Sequence, residues 1–187
     1  MRFRAFLLSL SLAISLFPLA AQQVHSPFAK DSAYIFSSKL KFKEMTTQGY
    51  LAVQYYDACS FRVAVQSAMG NTLLDLEWKN GSVTEHFVVD QLDKKLIMNT
   101  LKKDFELIFL QTLQKAKWKN DFVKKLRCHK YALTQHAEKL REVHDRNWLG
   151  KLKRSLYFDY SNDDDSLESI RLKHHNFAMQ VTLTPIE

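Results

Sequence analysis

Most of this chain alternates apolar and polar residues with a period of two, and the alternation is interrupted by one long stretch of helical period. A period of two sends successive side chains to opposite faces of a strand, so each run predicts a half-buried strand with one apolar face. In GYLAVQYY, Leu51, Val53 and Tyr55 share a face. In CSFRVAVQSAM, Phe61, Val63 and Val65 point one way, with Ser67 and Met69 continuing the set, while Arg62 and Gln66 point the other. Gly70-Asn71 permits a tight reversal, after which TLLDLEW sets Leu74, Leu76 and Trp78 against Asp75 and Glu77. Asn80-Gly81 is the stronger turn signal, because both central residues of a type I′ turn take positive φ. SVTEHFVV then places Val83, Phe87 and Val89 on one side. Connections this short predict consecutive antiparallel strands, a meander.

The interruption runs through IMNTLKKDFELIFLQTLQKAKW, where Ile97, Leu101, Phe105, Ile108, Phe109 and Leu113 recur at helical spacing. It predicts one amphipathic helix, capped by Asp93 or Asn99 and ending near Trp118. Leu107 and Leu110 fall outside its apolar arc and read either as single exposed leucines or as contacts to a second surface. Strands then resume, weakly in KYALTQ and KLREVHD, and clearly in KLKRSLYFDY, where Leu152, Leu156, Phe158 and Tyr160 share a side. Asn162 to Asp165 has the composition of a hairpin turn. SLESIRLKHH and NFAMQVTLTPI follow, the last with Phe177, Met179, Val181 and Leu183 in strict alternation. With a short helix expected in SPFAKDSAYIFSSK, the chain reads as seven to nine strands around one long helix. The fold class is α+β, mainly β: a strongly curved antiparallel sheet or unclosed β-barrel covered by a long amphipathic helix, since flat sheets of this extent are unusual.

The first residues do not belong to that pattern. MRFR is a basic n-region, AFLLSLSLAISLF an apolar h-region, and PLAAQ offers alanines for cleavage after Ala20 or Ala21. Residues 1–21 therefore read as a signal peptide and 22–187 as a single domain of 187 − 21 = 166 residues. No cysteine follows the cut, so a soluble exported protein is expected, with a retained, uncleaved anchor as the alternative. Losing Arg2 and Arg4 leaves 25 basic against 20 acidic side chains, a net +5 that favours anionic surfaces. Export makes nucleic acid a poor partner, and the densest basic stretch, KAKWKNDFVKKLR, reads as a solvated helix end and loop. Cys59 and Cys128 are the only cysteines. In an oxidising compartment they either form one disulfide, worth about 4 kcal/mol in the chain-entropy model, or stay as two buried free thiols.

Catalytic chemistry has little support. His129 and His136 lie on a weak strand, and the adjacent His174 and His175 should point to opposite faces, so all four read as surface histidines without a shared metal. Asp163 to Asp165 lacks the glycine and terminal glutamate of a calcium loop. There is no GxSxG, HExxH or glycine-rich phosphate loop, and no cofactor is expected.

The order of export signal, N-terminal helix, meander, long apolar helix and further strands resembles the periplasmic lipoprotein-localisation family of LolA and LolB. The resemblance is closest in VAVQSAMGNTLLDLEW, which looks like a LolB-type strand–loop–strand with an apolar residue protruding before glycine, and in the KKDFELIF helix. It implies an unclosed barrel whose apolar cavity accepts acyl chains of lipids or lipoproteins on their way to the outer membrane. By that resemblance Met69 takes the place of the protruding residue that touches a membrane or a transport protein, and Leu101, Phe105 and Ile108 take the place of the cavity cover. The wall would then be Leu51, Val53, Phe61, Val63, Val65, Leu74, Leu76, Trp78, Phe87, Val89, Leu156, Phe158, Phe177, Met179 and Val181. Two features depart from the family. The chain lacks the anchor cysteine of LolB-type receptors, and Arg62, the loose counterpart of the carrier's lid-contacting arginine, falls on the face opposite Phe61. Alternation alone gives Met69 a rival role as an inward gap filler. The other readings are an exported structural or interaction protein with a closed dry core, and a hydrolase without a visible motif.

Overall fold

The computed structural model describes residues 26–186 apart from 116, 121, 122, 127, 137 and 138, and of residues 117–120 it describes the backbone. The segment read as an export signal lies outside the described residues. A first meander contains β1 (Ser32–Phe42), β2 (Met45–Asp57), β3 (Ser60–Ser67), β4 (Thr72–Lys79) and β5 (Ser82–Val88). A helical segment, α1 (Lys95–Ile108) and α2 (Gln111–Lys115), leads to a second: β6 (Lys117–Asn120), β7 (Val123–Leu126), β8 (His129–His136), β9 (Lys139–Asn147), β10 (Leu152–Tyr160), β11 (Leu167–His174) and β12 (Met179–Pro185). β12 pairs antiparallel with β1, from Phe36↔Pro185 to Phe42↔Met179, and fuses the two meanders. The result is one 12-stranded sheet in the order β5-β4-β3-β2-β1-β12-β11-β10-β9-β8-β7-β6. Its two edges are not paired with each other, and the chain crosses from one to the other through α1 and α2.

The sheet must wrap around that segment. Phe105 of α1 meets Trp78 of β4 edge-on at 5.9 Å between ring centroids, while the neighbouring Asp104 is ion-paired to Arg154 of β10 at 3.0 Å. β4 and β10 are six strand spacings apart in the sheet order, which in a flat sheet would be roughly 29 Å. Two adjacent helical residues reach both only if the sheet curls round them. The inward faces follow the alternation: Leu51, Val53 and Tyr55 of β2, Phe61 and Val63 of β3, and Leu74, Leu76 and Trp78 of β4 are all buried. Register stacks them in rows, Val53↔Val63↔Leu76 and Tyr55↔Phe61↔Trp78. Each such side chain contributes about 1.5–3 kcal/mol when fully removed from water.

Four expectations are corrected. The segment expected as a short N-terminal helix is β1, a central strand paired on both sides, whose ladders override local propensity. There are more strands than the alternation suggested, because β6 and β7 are short, basic and without an apolar period. The helix does not run to Trp118, which lies in β6; it ends at Ile108, and Leu110 adopts φ 62° before α2 begins. A leucine in the left-handed region costs roughly 1–2 kcal/mol, offset here by burial of the leucine itself, so neither Leu107 nor Leu110 is exposed. Finally, Lys94 occupies the N-cap position with no side-chain cap, so neither Asp93 nor Asn99 plays that part.

Candidate functional site

The concave side of the sheet and the α1–α2 segment enclose one apolar interior. Phe61 stacks on Trp78 at 4.7 Å between centroids, and Phe109 lies 5.0 Å from Phe61 and 5.1 Å from Phe28. Trp78, Phe61, Phe109, Leu107, Leu110 and Leu113 have no exposed surface. The connecting segment thus contributes its own side chains to the buried core of the sheet it covers. One polar side chain stands out in this interior. Gln111, at the start of α2, is 1% exposed and neither end of its amide has a hydrogen-bond partner among the described residues.

On the other flank the contact is ionic. Arg154 of β10 donates from Nη1 to Asp104 Oδ1 at 3.0 Å and to the Lys103 carbonyl at 2.9 Å on α1. Its Nε and Nη2 both donate to Asp145 Oδ2 of β9, at 2.9 and 2.7 Å. His174 of β11 sits 2.9 Å from Asp104 Oδ2, and His129 of β8 sits 2.6 Å from Asp145 Oδ1. Burial works against the Arg154 charge, but Asp145 and Asp104 outweigh it and hold its pKa above the ordinary arginine range. Burial, followed by Asp145, pushes the Tyr131 phenol beside this network well up. Asp104, Asp145, Arg154 and His174 are all at most 9% exposed, and charged or polar groups that deep persist only when paired or hydrogen-bonded. The network therefore latches α1 to the second meander. Lys102–Glu85 and a hydrogen bond from Trp78 Nε1 to Glu106 (3.4 Å) tie the opposite side of α1 to the first meander.

The expected wall residues fall into three groups. Leu51, Val53, Phe61, Val63, Leu74, Leu76, Trp78, Leu156 and Phe158 line the interior with Phe105 and Ile108 of α1, all buried. Val65, Leu101 and Val181 are partly buried against it, and Met179 is half-buried at the start of β12. Phe87, Val89 and Phe177 do not belong to the wall. A bulge shifts the β4–β5 register so that Val88 opposes Leu74 and Phe87 opposes the outward Asp75, leaving Phe87 48% exposed. Val89 lies just beyond β5, and Phe177 precedes β12 and packs its exposed ring on His174 at 4.5 Å. Arg62 is on the outer face, in a bidentate pair with Asp75. The arginine that grips the helix is Arg154, which the sequence reading missed, and His174 and His129 are hydrogen-bonded parts of the latch rather than surface histidines. The available signal was parity. Arg154, Asp145 and His174 each sit at an inward position of an alternating strand, beside Leu156, Val143 and Leu172 respectively.

Met69 is 88% exposed. Gly70 N–H donates to the Ser67 carbonyl and Ser67 N–H to the Asn71 carbonyl, both at 2.9 Å, with Gly70 at φ 84°. This turn breaks the strand parity, so the face begun by Phe61 and Val63 does not carry on to Met69.

Elsewhere the chemistry is thinner. Ser155 Oγ contacts His144 Nδ1 (3.0 Å) and His175 Nε2 (2.9 Å), with Glu142 on His144 Nε2 at 3.2 Å. Ser155 has no exposed surface, so a substrate carbonyl has no path to its oxygen in this arrangement. Among the described residues no three His, Cys, Asp or Glu side chains come together as metal ligands. Cys59 and Cys128 are free and exposed rather than bridged or buried. A shallow depression of about 300 Å³ lies on the outer face of β1–β3, over Ala33, Ala52 and Ala64, away from the interior.

An open antiparallel sheet wrapped round one helical connection, with an apolar concave face, defines the class. By structural comparison the fold is LolA-like. A LolA superfamily protein from Nitrosomonas europaea superposes with a TM-score of 0.54 at 8% identity, over 89% of this chain and 88% of that one. A DUF1329 family protein from Desulfovibrio piger gives 0.47 at 7% identity over 86% of each chain, and a protein from Vibrio parahaemolyticus described as an outer membrane lipoprotein-sorting domain gives 0.42 at 9% identity over 86% of each. No family model matches the sequence, and no curated protein matches it.

Proposed function

We propose that this chain is an exported, periplasmic carrier, without enzymatic activity or cofactor, that takes acyl chains of a lipid or lipoprotein into its concave interior and passes them towards the outer membrane. One observation carries the reading. The interior of an unclosed sheet is filled by side chains of a single connecting segment, Phe105, Ile108, Phe109 and Leu113. Lifting that segment breaks no strand pair, and it bares an apolar trough in which each buried methylene of a ligand gains about 0.8 kcal/mol. The unpaired Gln111 amide supports the reading, because a buried amide without partners costs about 1–3 kcal/mol and a polar group at the head of an acyl chain would satisfy it. Release of α1 requires Asp104 to leave Arg154 and His174, which makes the latch the natural gate. Leu101, Phe105 and Ile108 act as the cover, and Met69 touches the membrane or a transport protein during delivery. No helix among the described residues is long and apolar enough to cross a membrane.

The test is binding of a fluorescent acyl probe by the chain from Gln22 on, followed by transfer to acceptor vesicles. Saturable binding is expected, with delivery slowed in Met69→Glu and melting unchanged, since substitutions at so exposed a site fall within about 0.5 kcal/mol. Absence of saturable binding sinks the carrier reading. Its rival, an interaction protein with a permanent core, is favoured by the complete burial of Leu107, Phe109 and Leu110, and it predicts no acyl binding at all.

A further inference from the structure

The Met69 turn has a twin. At Asn147–Lys151, between β9 and β10, Gly150 N–H donates to the Asn147 carbonyl at 2.9 Å and Asn147 N–H to the Lys151 carbonyl at 3.0 Å, with Gly150 at φ 84°. The first residue of each turn also accepts a hydrogen bond from the last N–H through its side chain, Ser67 Oγ from Asn71 at 3.2 Å and Asn147 Oδ1 from Lys151 at 2.9 Å. The residue before each glycine is apolar and exposed: Met69 at 88% and Leu149 at 69%, with Trp148 beside the latter at 66%. Strand directions place both turns at the same end of the sheet.

Between them in the sheet order lie two more connections at that end, and both carry exposed apolar side chains: Phe42 and Met45 flanking the β1–β2 turn, and Phe177 in the β11–β12 turn. Neighbouring tips are joined through the backbone, Lys43 N–H to the Ala178 carbonyl and His175 N–H to the Lys153 carbonyl, both at 2.8 Å. Lysines frame the row. Lys43 and Lys151 lie in the turns, and Lys41 and Lys173 oppose Gln180 of β12 from its two sides. Glu44 is the acidic residue among these tips. The opposite rim has another character, with Asp57 and Cys59, Asn80-Gly81, and Asp163 to Asp165 at its connections.

We infer that this rim is a docking surface for an anionic phospholipid bilayer, with Trp148 and Leu149 as a second insertion tip beside Met69. Separate apolar tips on hairpins, spread along a rim rather than gathered in a pocket, suit insertion between headgroups. An indole at the tip favours the membrane interface. A lysine row just behind them matches an anionic surface, where each basic residue strengthens binding about five-fold. The inference concerns the outside of the molecule and does not depend on the interior accepting an acyl chain.

Flotation of the chain from Gln22 on, which contains every element of the fold, tests it with vesicles of phosphatidylcholine alone and with about one third phosphatidylglycerol. Binding to the anionic vesicles is expected, falling at least about ten-fold in the Trp148→Ser/Leu149→Ser variant and about five-fold for each of Lys41→Gln and Lys173→Gln. Tyr56→Ser, an exposed aromatic near the opposite rim, should bind like the parent, and melting curves should match throughout. Equal binding to both vesicle types, undiminished binding by the tip variant, or an equal loss in Tyr56→Ser overturns the inference. Absence of vesicle binding by the parent also overturns it and leaves an acidic protein as the occupant. Acyl-probe uptake should stay at the parent level in the Trp148→Ser/Leu149→Ser variant, so failure of the carrier reading registers separately.

Discussion

On the β3–β4 side of α1, Trp78 and Phe61 pack their rings on Phe105 and Phe109; on the β9–β11 side, Arg154 and His174 grip the Asp104 carboxylate. The first contact is non-directional, and an acyl chain could take over its area at a similar transfer free energy. The second is directional and deep, and nothing apolar can substitute for either ion while the other stays buried. On the carrier reading, the aromatic flank therefore determines what can replace the helix, and the ionic flank determines when the helix leaves.

Breaking the ionic flank should have the largest effect. Arg154→Met strands Asp104 and Asp145 without their main partner, and urea unfolding should lose about 3–5 kcal/mol. Combining it with Asp104→Leu and Asp145→Leu should restore most of that loss, because the uncompensated charges, rather than the missing bonds, carry the cost. A loss under about 1 kcal/mol in the single variant would mean that the network contributes nothing to holding α1. On the aromatic flank, Ile108→Val should cost only about 1 kcal/mol, with acyl-probe binding tightened because the ligand competes with that side chain for the same space. Weaker probe binding in this variant would argue against such competition.

The smallest effect belongs to an ion pair outside both flanks. Hydrogen bonding from Arg171 holds the Asp159 carboxyl below its ordinary pKa of 3.8. A carboxylate with a depressed folded pKa stabilises above its unfolded value, and that contribution is lost as pH falls through the folded one. Asp159→Asn should therefore lower stability at neutral pH by no more than about 1 kcal/mol, since both partners are solvent-screened, and the difference from the parent should shrink below about pH 4. A larger penalty at pH 3 than at pH 7 would reverse the sign.

The same contrast explains what the sequence could tell. The aromatic flank was legible, because Leu51 to Trp78 repeat a strict alternation and the turn at Asn80-Gly81 keeps its positive φ at both residues. The ionic flank was not, since its residues lie on four strands and a helix far apart in the chain, and each alone resembles an ordinary surface charge. The fault at Leu110 carries no glycine or proline to announce it, and the β5 bulge that turns Phe87 outward has no signature in SVTEHFVV. β1 hid for a different reason. Ser32–Phe42 has a weak alternation, and its strand character comes from partners at both ends of the chain.

The central claim is that α1 and α2 cover the sheet as a separable unit, and native-state hydrogen exchange with and without an acyl lipid addresses it most directly. The account predicts that amides of Lys95–Ile108 exchange through an opening of lower free energy than those of β1, β2 and β12, and that bound lipid changes their protection while leaving the central strands as they were. Exchange in this helix as slow as in the central strands, and unmoved by lipid, would contradict the account and make the segment a permanent part of the core.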